Sequence, residues 1–422
     1  MRGRFASNIA WLLLVVGTRA GGQSSGARVS FELGAMGVGA LTHAAPGVFG
    51  TSATEGYLTQ PNVMVGAHRG PIALTGTINL EGYTLRRGEL NAGIYGEGYV
   101  DRRHPHTLVH EAMLSVTSPT RRGVRASLAA GKGFTPFGTD DPMMRPLVKY
   151  PVNHHHAQII ERVQTIGAIA IGDSARGVAV EHAFFNGDEP VGPFIGPQWR
   201  RFGDSRTSRL TVVPTRDVEL QASRAFVRSP GITQGGAFDH TQTSVSLRFD
   251  RTGGGQAMAG HAMNGRRRYL LAEFARTDEG FGAERVFRFN SVLVEGLLER
   301  GGWGLAARAE RTDRPENERL LDPFRVANGH IDFQIIGITQ WSLGTVHLDA
   351  PSVRLRRLAD TQVAPYVEVS RARPVALRTP AVFEPQAFYG AGTLWSVTAG
   401  VRLHVGTMRR RMGRYGVLAS PP

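Results

Sequence analysis

Trp395-Ser396-Val397-Thr398-Ala399-Gly400-Val401-Arg402-Leu403-His404-Val405 is a stretch that alternates in character. Trp395, Val397, Ala399, Val401, Leu403 and Val405 share one parity, and Ser396, Thr398, Arg402 and His404 share the other. A period of two marks an extended strand, whose successive side chains point to opposite faces. The same separation sets Thr243, Val245, Leu247 and Phe249 against Gln242, Ser244, Ser246, Arg248 and Asp250. It recurs at Trp303, Leu305, Ala307 and Ala309 against Arg308, Glu310 and Thr312, and at Val218, Leu220, Ala222 and Phe226 against Asp217, Glu219, Gln221 and Ser223.

An antiparallel soluble sandwich also alternates. Three features favour a membrane barrel instead. Many segments are as long as a tilted bilayer-crossing strand needs to be. Their polar faces carry ionised groups, which a polar lumen accommodates and a packed sandwich core does not. Tyr269, Phe281, Phe287, Trp303, Trp341, Phe388, Tyr389 and Trp395 fall near segment ends, where aromatic girdles meet lipid headgroups. Short turns such as 118–123 and 173–177 contrast with long connections at 135–158, 187–206, 313–329 and 373–386. That asymmetry is the habit of outer-membrane barrels. The fold class read from this pattern is all-β, an antiparallel transmembrane β-barrel of about 16 strands, within a range of 14–18.

Composition agrees. The chain has 422 residues, 53 of them glycine, no cysteine and 41% hydrophobic residues, with a mean hydropathy of −0.18. A helical membrane protein of this length would be far more apolar. The lack of cysteine excludes disulfide scaffolds, thiol catalysis and Cys-ligated metal centres. The formal net charge is +14, and Lys132 and Lys149 are the only lysines among the 49 basic residues. Scattered through alternating strands, these arginines suit a positive lumen or mouth that attracts small anionic solutes better than they suit nucleic acid. An arginine-rich rim facing outer-membrane lipid and lipopolysaccharide is the other reading.

Residues 1–20 read as a cleaved signal peptide: Arg2 and Arg4, an apolar run over 9–17, then Thr18-Arg19-Ala20. The barrel is expected over 21–408 and a basic tail over 409–422. This tail follows the last strand where a terminal aromatic would address the barrel-assembly machinery. The expected location is the bacterial outer membrane, as a monomer or homotrimer.

The densest special residues lie in the first half. His104, His106, His110, His154, His155, His156 and His182 are seven of the 14 histidines. Neutral imidazole is a ligand for zinc and copper. His104, His106, His154, His155 and His156, with Asp101, Glu111 or Glu161 as carboxylate partners, therefore form a candidate metal site at the barrel mouth. A network of histidines and carboxylates tying loops together is the alternative. Strict parity through 107–117 points Glu111 into the lumen and turns His110 toward lipid. Lys132, Arg103, Arg125, Arg145, Arg162 and Arg176 are the candidates for an anion ladder. His110-Glu111 opens an H-E-x-x-H motif, but no second histidine follows. No G-x-S-x-G elbow occurs, and the paired carboxylates lie in Pro/Gly-rich loops, so no enzyme is expected.

Gly131-Lys132-Gly133-Phe134-Thr135-Pro136-Phe137-Gly138 resembles the G-K-x-x-x-P-F-G strand-to-loop motif of the phosphate-selective porin O/P family. That resemblance implies a sixteen-stranded barrel with an arginine- and lysine-lined channel, and Lys132 occupies its basic position. A longer resemblance rests on Asp101, Arg102, His104, Pro105, His106, Arg145, Pro146, Phe185, Asn186, Gly187, Glu189 and Pro190, with two histidines of 154–156. It is to an uncharacterised outer-membrane barrel family sometimes found among copper- and heavy-metal-resistance genes. It implies an outer-membrane protein with a connection to metal and no established activity.

Overall fold

The computed structural model describes residues 29–45, 52–85, 106–139, 141–151, 158–173, 175–190, 192–230, 236–253, 257–258, 261–262, 266–316, 337–355, 361–379, 393–406 and 411–419. The expected signal peptide, Asp101, Arg103, His104, His154, His155, His156, Phe388 and Tyr389 lie outside these residues.

Sixteen long strands form one antiparallel sheet: β1 Ser30–Ala45, β2 Ala53–Arg69, β3 Ile72–Asn79, β4 Val109–Thr117, β5 Val124–Gly133, β6 Arg162–Gly172, β7 Gly177–Phe185 and β8 Ser205–Thr215, then β9 Val218–Val227, β10 Asp239–Gly253, β11 Arg266–Phe281, β12 Glu284–Arg300, β13 Trp303–Glu316, β14 Gly337–Asp349, β15 Thr361–Thr379 and β16 Leu394–Gly406. Each strand pairs with the next, and β1 pairs with β16 from Gly34↔Gly406 to Ala45↔Trp395, closing the barrel. Closure satisfies every strand edge, which lipid demands because it offers no hydrogen bonds.

The alternation maps onto two faces. On β13, Trp303, Leu305, Ala307, Ala309 and Arg311 are exposed on the outer wall, while Ala306, Arg308, Glu310 and Thr312 are buried inside. The outer belt continues through Leu74, Leu114, Leu128, Ile169, Val180, Leu210, Leu247, Val294, Val346 and Val401. A belt of exposed aliphatic residues around an ionised interior is the inverse of a water-soluble domain and suits a hydrocarbon surround. Among the described residues no helix is long and apolar enough to cross a membrane.

The two ends differ. Seven connections lie at the end holding Ser30 and Gly406, five of them turns of two to six residues and two longer, at 254–265 and 350–360; long connections dominate the other end, where 282–283 is a tight turn. Phe281, Trp303 and Trp395 sit exposed near strand ends as a girdle requires. Tyr269 and Trp341, expected in the same girdle, turn inward and are buried. The Tyr269 hydroxyl donates to Glu295 at 2.8 Å. Both aromatics lie on the polar parity of their strands, which overrides their closeness to the ends.

Candidate functional site

The connection between β5 and β6 folds into the lumen. Gly131 starts the inward turn with φ 143, and a Cβ there would lie 2.0 Å from the Ala112 carbonyl. The loop then crosses to wall after wall. The Gly138 amide donates to Ser223 on β9, and Arg209 on β8 donates to the Gly138 carbonyl while forking onto Glu181 at 2.6 and 2.9 Å. Thr139 donates to Glu273 on β11 at 2.6 Å. Leu147 packs into an inward apolar patch made by Tyr269, Leu271, Leu293, Leu297 and Ala306. The Val148 and Lys149 amides both donate to Glu368 on β15, and Lys149 Nζ donates to Ser396 on β16 at 2.6 Å. A loop whose backbone amides and carbonyls are bound by side chains on opposite walls is a fixed constriction and not a free lid.

Beside it lies a buried ionic network. Glu81, on the single-turn helix α1 Glu81–Thr84, accepts from the Gln60 amide at 2.8 Å and pairs with His106 Nδ1 at 2.8 Å. His106 contacts His110 with ring centroids 4.8 Å apart. His110 Nδ1 donates to Glu161 at 2.6 Å, the Thr107 amide donates to the same carboxylate at 2.8 and 3.1 Å, and Lys132 Nζ lies 3.6 Å from it. Lys132 also donates to the Thr107 hydroxyl. Gln60 and Glu161 hold left-handed backbones at φ 55 and 60, which non-glycine residues adopt at a cost of about 1–2 kcal/mol. Both strained residues serve this network, so its bonds offset the strain.

Burial alone would lower the His106 pKa, but the Glu81 carboxylate overrides it and raises it to about 9. Burial likewise disfavours the Glu161 carboxylate, yet the bond from His110 and the charge of Lys132 hold it at about 2. Burial raises Asp141 above the usual carboxylate range. Opposed desolvation and pairing of this kind concentrate at functional sites and also in structural networks.

The expected anion candidates fall into separate groups. Lys132 is buried in this network. Arg145 is buried in the crossing loop, 2.7 Å from Thr139, 3.4 Å from Glu273 and 3.9 Å from Glu295. Arg162 is buried at the head of β6, 2.6 Å from the Asp188 carbonyl and 3.3 Å from Glu189. Arg125 and the exposed Arg176 lie at the opposite, short-turn end. Among the described candidates no single ladder joins them.

Of the expected metal ligands, His106, Glu111 and Glu161 are described. Glu111 points inward as parity required, accepting from Thr77 at 2.7 Å and from Tyr415 at 2.6 Å. His110 does not turn to lipid. The β3–β4 register shifts between Thr77 and Ile78, and this bulge brings His110 and Glu111 inward together. Its Nε2 is buried with no hydrogen-bond partner among the described residues. Among those residues no group of three or more His, Asp or Glu side chains is disposed to hold a metal ion.

One feature escaped the motif reading. Each of the seven hairpins at the short-turn end presents an exposed arginine: Arg69, Arg121 with Arg122, Arg176, Arg216, Arg251 with Arg266, Arg300, and Arg354. Inside the barrel, by contrast, buried carboxylates outnumber buried lysine and arginine among the described residues. Among the described residues the basic excess therefore lies away from the buried interior.

A closed sixteen-stranded barrel with an aliphatic belt, unequal ends and a loop folded across its lumen has the porin fold. No family model matches the chain, and no curated protein matches its sequence. Among solved structures, OprB from Pseudomonas putida superposes with a TM-score of 0.52 at 11% identity, covering 90% of this chain and 94% of that one. An anion-selective porin from Comamonas acidovorans gives 0.46 at 9% identity over 89% and 100%. OmpT of Vibrio cholerae gives 0.46 at 10% identity over 89% and 97%. At such identities the likeness concerns the fold alone.

Proposed function

We propose that this chain is an outer-membrane porin-like channel for passive diffusion of small polar solutes, with a preference for anions. The observation that carries the preference is the exposed arginine at each of the seven hairpins of that one end. A ring of exposed guanidinium groups around one mouth raises the local anion concentration by summed potential. The interior behind it is ionised and holds more carboxylates than lysine and arginine, so it offers polar contact without a deep anion trap, as release requires. The apolar belt supports the membrane location, and residues 1–20 would supply the export address. Neutralising the collar by Arg→Gln at 69, 121, 122, 176 and 216 should move the reversal potential toward cations. An unchanged reversal potential would refute the assignment to the collar.

A metal-binding reading, with zinc or copper held at the mouth, retains one specific observation. A metal-ligating histidine donates one ring N–H to a carboxylate and leaves its other nitrogen free, and His110 has that arrangement toward Glu161. Equilibrium dialysis of the folded barrel against zinc and copper tests it. Metal uptake that survives alanine at 104, 106, 110 and 154–156 would rule this reading out.

A further inference from the structure

After β16, residues 411–419 turn back into the lumen and line the inside of the wall. Arg411 forks onto Glu219 of β9 at 2.7 and 2.9 Å, and the buried Arg414 reaches the same carboxylate at 3.5 Å. The Gly413 amide and the Tyr415 hydroxyl both donate to Glu111 of β4, at 3.3 and 2.6 Å. The Tyr415 oxygen in turn accepts from the Phe134 amide at the root of the crossing loop, at 3.1 Å. Lower down, the Val417 amide donates to Ser127 at 3.0 Å, and Val417 and Leu418 pack on Ala168, Ala170 and Ala179. The contacts to β5 run from Gly133 to Ser127, about 20 Å of strand.

The wall is shaped for this segment. Where β5, β6 and β7 face it, most inward residues are small, Ser127, Ala129, Ala168, Ala170, Ala179 and Ala183, with Ile166 packed beside Tyr415. A Cβ on Gly133 would lie 2.3 Å from the Tyr415 hydroxyl, and the segment reverses at Gly413 and Gly416, with φ 75 and 58. Elsewhere, apart from the patch under Leu147, the lumen wall is largely polar and charged. A strip of alanines facing a polar lumen is otherwise unexplained, whereas under Val417 and Leu418 it is ordinary close packing.

We propose that residues 411–419 are a built-in plug, clamped by Glu219 and Glu111, that fills the β4–β9 side of the lumen and limits its unit conductance. The conductance readout rests on the channel reading, while the position of the segment does not, and the experiment separates them. The chain has no native cysteine, so a Ser127→Cys, Val417→Cys pair reports the docked segment directly. In the full-length, folded barrel under mild oxidation, this pair should close a disulfide and leave conductance as in the parent protein. Adding Glu219→Arg repels Arg411 and Arg414. The disulfide yield before strong oxidation should then fall and the unit conductance rise, and forcing the disulfide closed should restore the parent conductance. Cysteines that stay free in the folded parent barrel would overturn the plug. So would Glu219→Arg raising conductance with no recovery on disulfide closure. A disulfide that closes in a barrel that never conducts would overturn the channel reading and the conductance role, leaving only the docked position.

Discussion

Replacing Glu161 by glutamine tests whether the buried network holds the constriction in place. Glu161 is buried, accepts from His110 at 2.6 Å and from the Thr107 amide at 2.8 and 3.1 Å, and faces Lys132 at 3.6 Å. Glutamine keeps the shape but supplies one acceptor oxygen and adds donors, and it leaves Lys132 buried without its counter-charge. Breaking a buried pair from one side costs about 3–5 kcal/mol, because the remaining charge is stranded. A second variant sets the backbone against the charge. Glu161→Gly relieves a left-handed residue at φ 60, worth about 1–2 kcal/mol, which is less than the loss of the carboxylate. Both variants should therefore lower the urea midpoint of the refolded barrel in phospholipid vesicles, followed by tryptophan fluorescence, and glycine should not rescue the loss. A glutamine variant within about 1 kcal/mol of the parent, the size of an exposed pair, would refute the reasoning. So would a glycine variant more stable than the parent.

Three further outcomes follow from the same contacts. The His106 pKa is raised to about 9 by Glu81, so its stabilisation is complete below its ordinary value near 6.5 and is lost as pH rises through about 9. Glu161, at about 2, contributes fully above its ordinary value near 4.5 and loses that contribution as pH falls toward 2. Urea midpoints measured from pH 7 to 10 should fall for the parent, and the fall should flatten in His106→Gln. Leu128 is 63% exposed on the outer wall, so Leu128→Arg should cost about 2–4 kcal/mol if the residue lies near the bilayer midplane, read from folding yield in vesicles; no cost would argue against a lipid surround. Gly131→Ala would drive a Cβ to 2.0 Å from the Ala112 carbonyl at φ 143, so it should destabilise the barrel by about 2–3 kcal/mol or block its folding.

The barrel itself was legible because alternation is enforced wherever one face meets lipid and the other does not. Trp395 to Leu403 and Trp303 to Glu310 carry that pattern without interruption. What escaped lies where another demand overrides the period. A bulge at the β3–β4 pairing brought His110 inside against its parity. Tyr269 and Trp341 were placed in the girdle on their closeness to strand ends, although their own parity is the inward one. The docking patch for Leu147 left a trace: Leu270-Leu271 and Leu297-Leu298 break the alternation because both parities are apolar, one for lipid and one for the loop. The arginine at each hairpin of that end was readable once turns were assigned to ends, since those arginines follow the hairpin spacing. The destination of residues 411–419 was not readable from their basic composition. It depends on alanines in β5, β6 and β7 that only closure of the barrel brings under Val417.

The measurement that tests the central claim most directly is single-channel recording of the refolded, full-length barrel in a planar lipid bilayer under a salt gradient. The account predicts discrete, stable conductance steps whose reversal potential favours anions. A barrel verified as folded that gives no steps, or steps that favour cations, would contradict it.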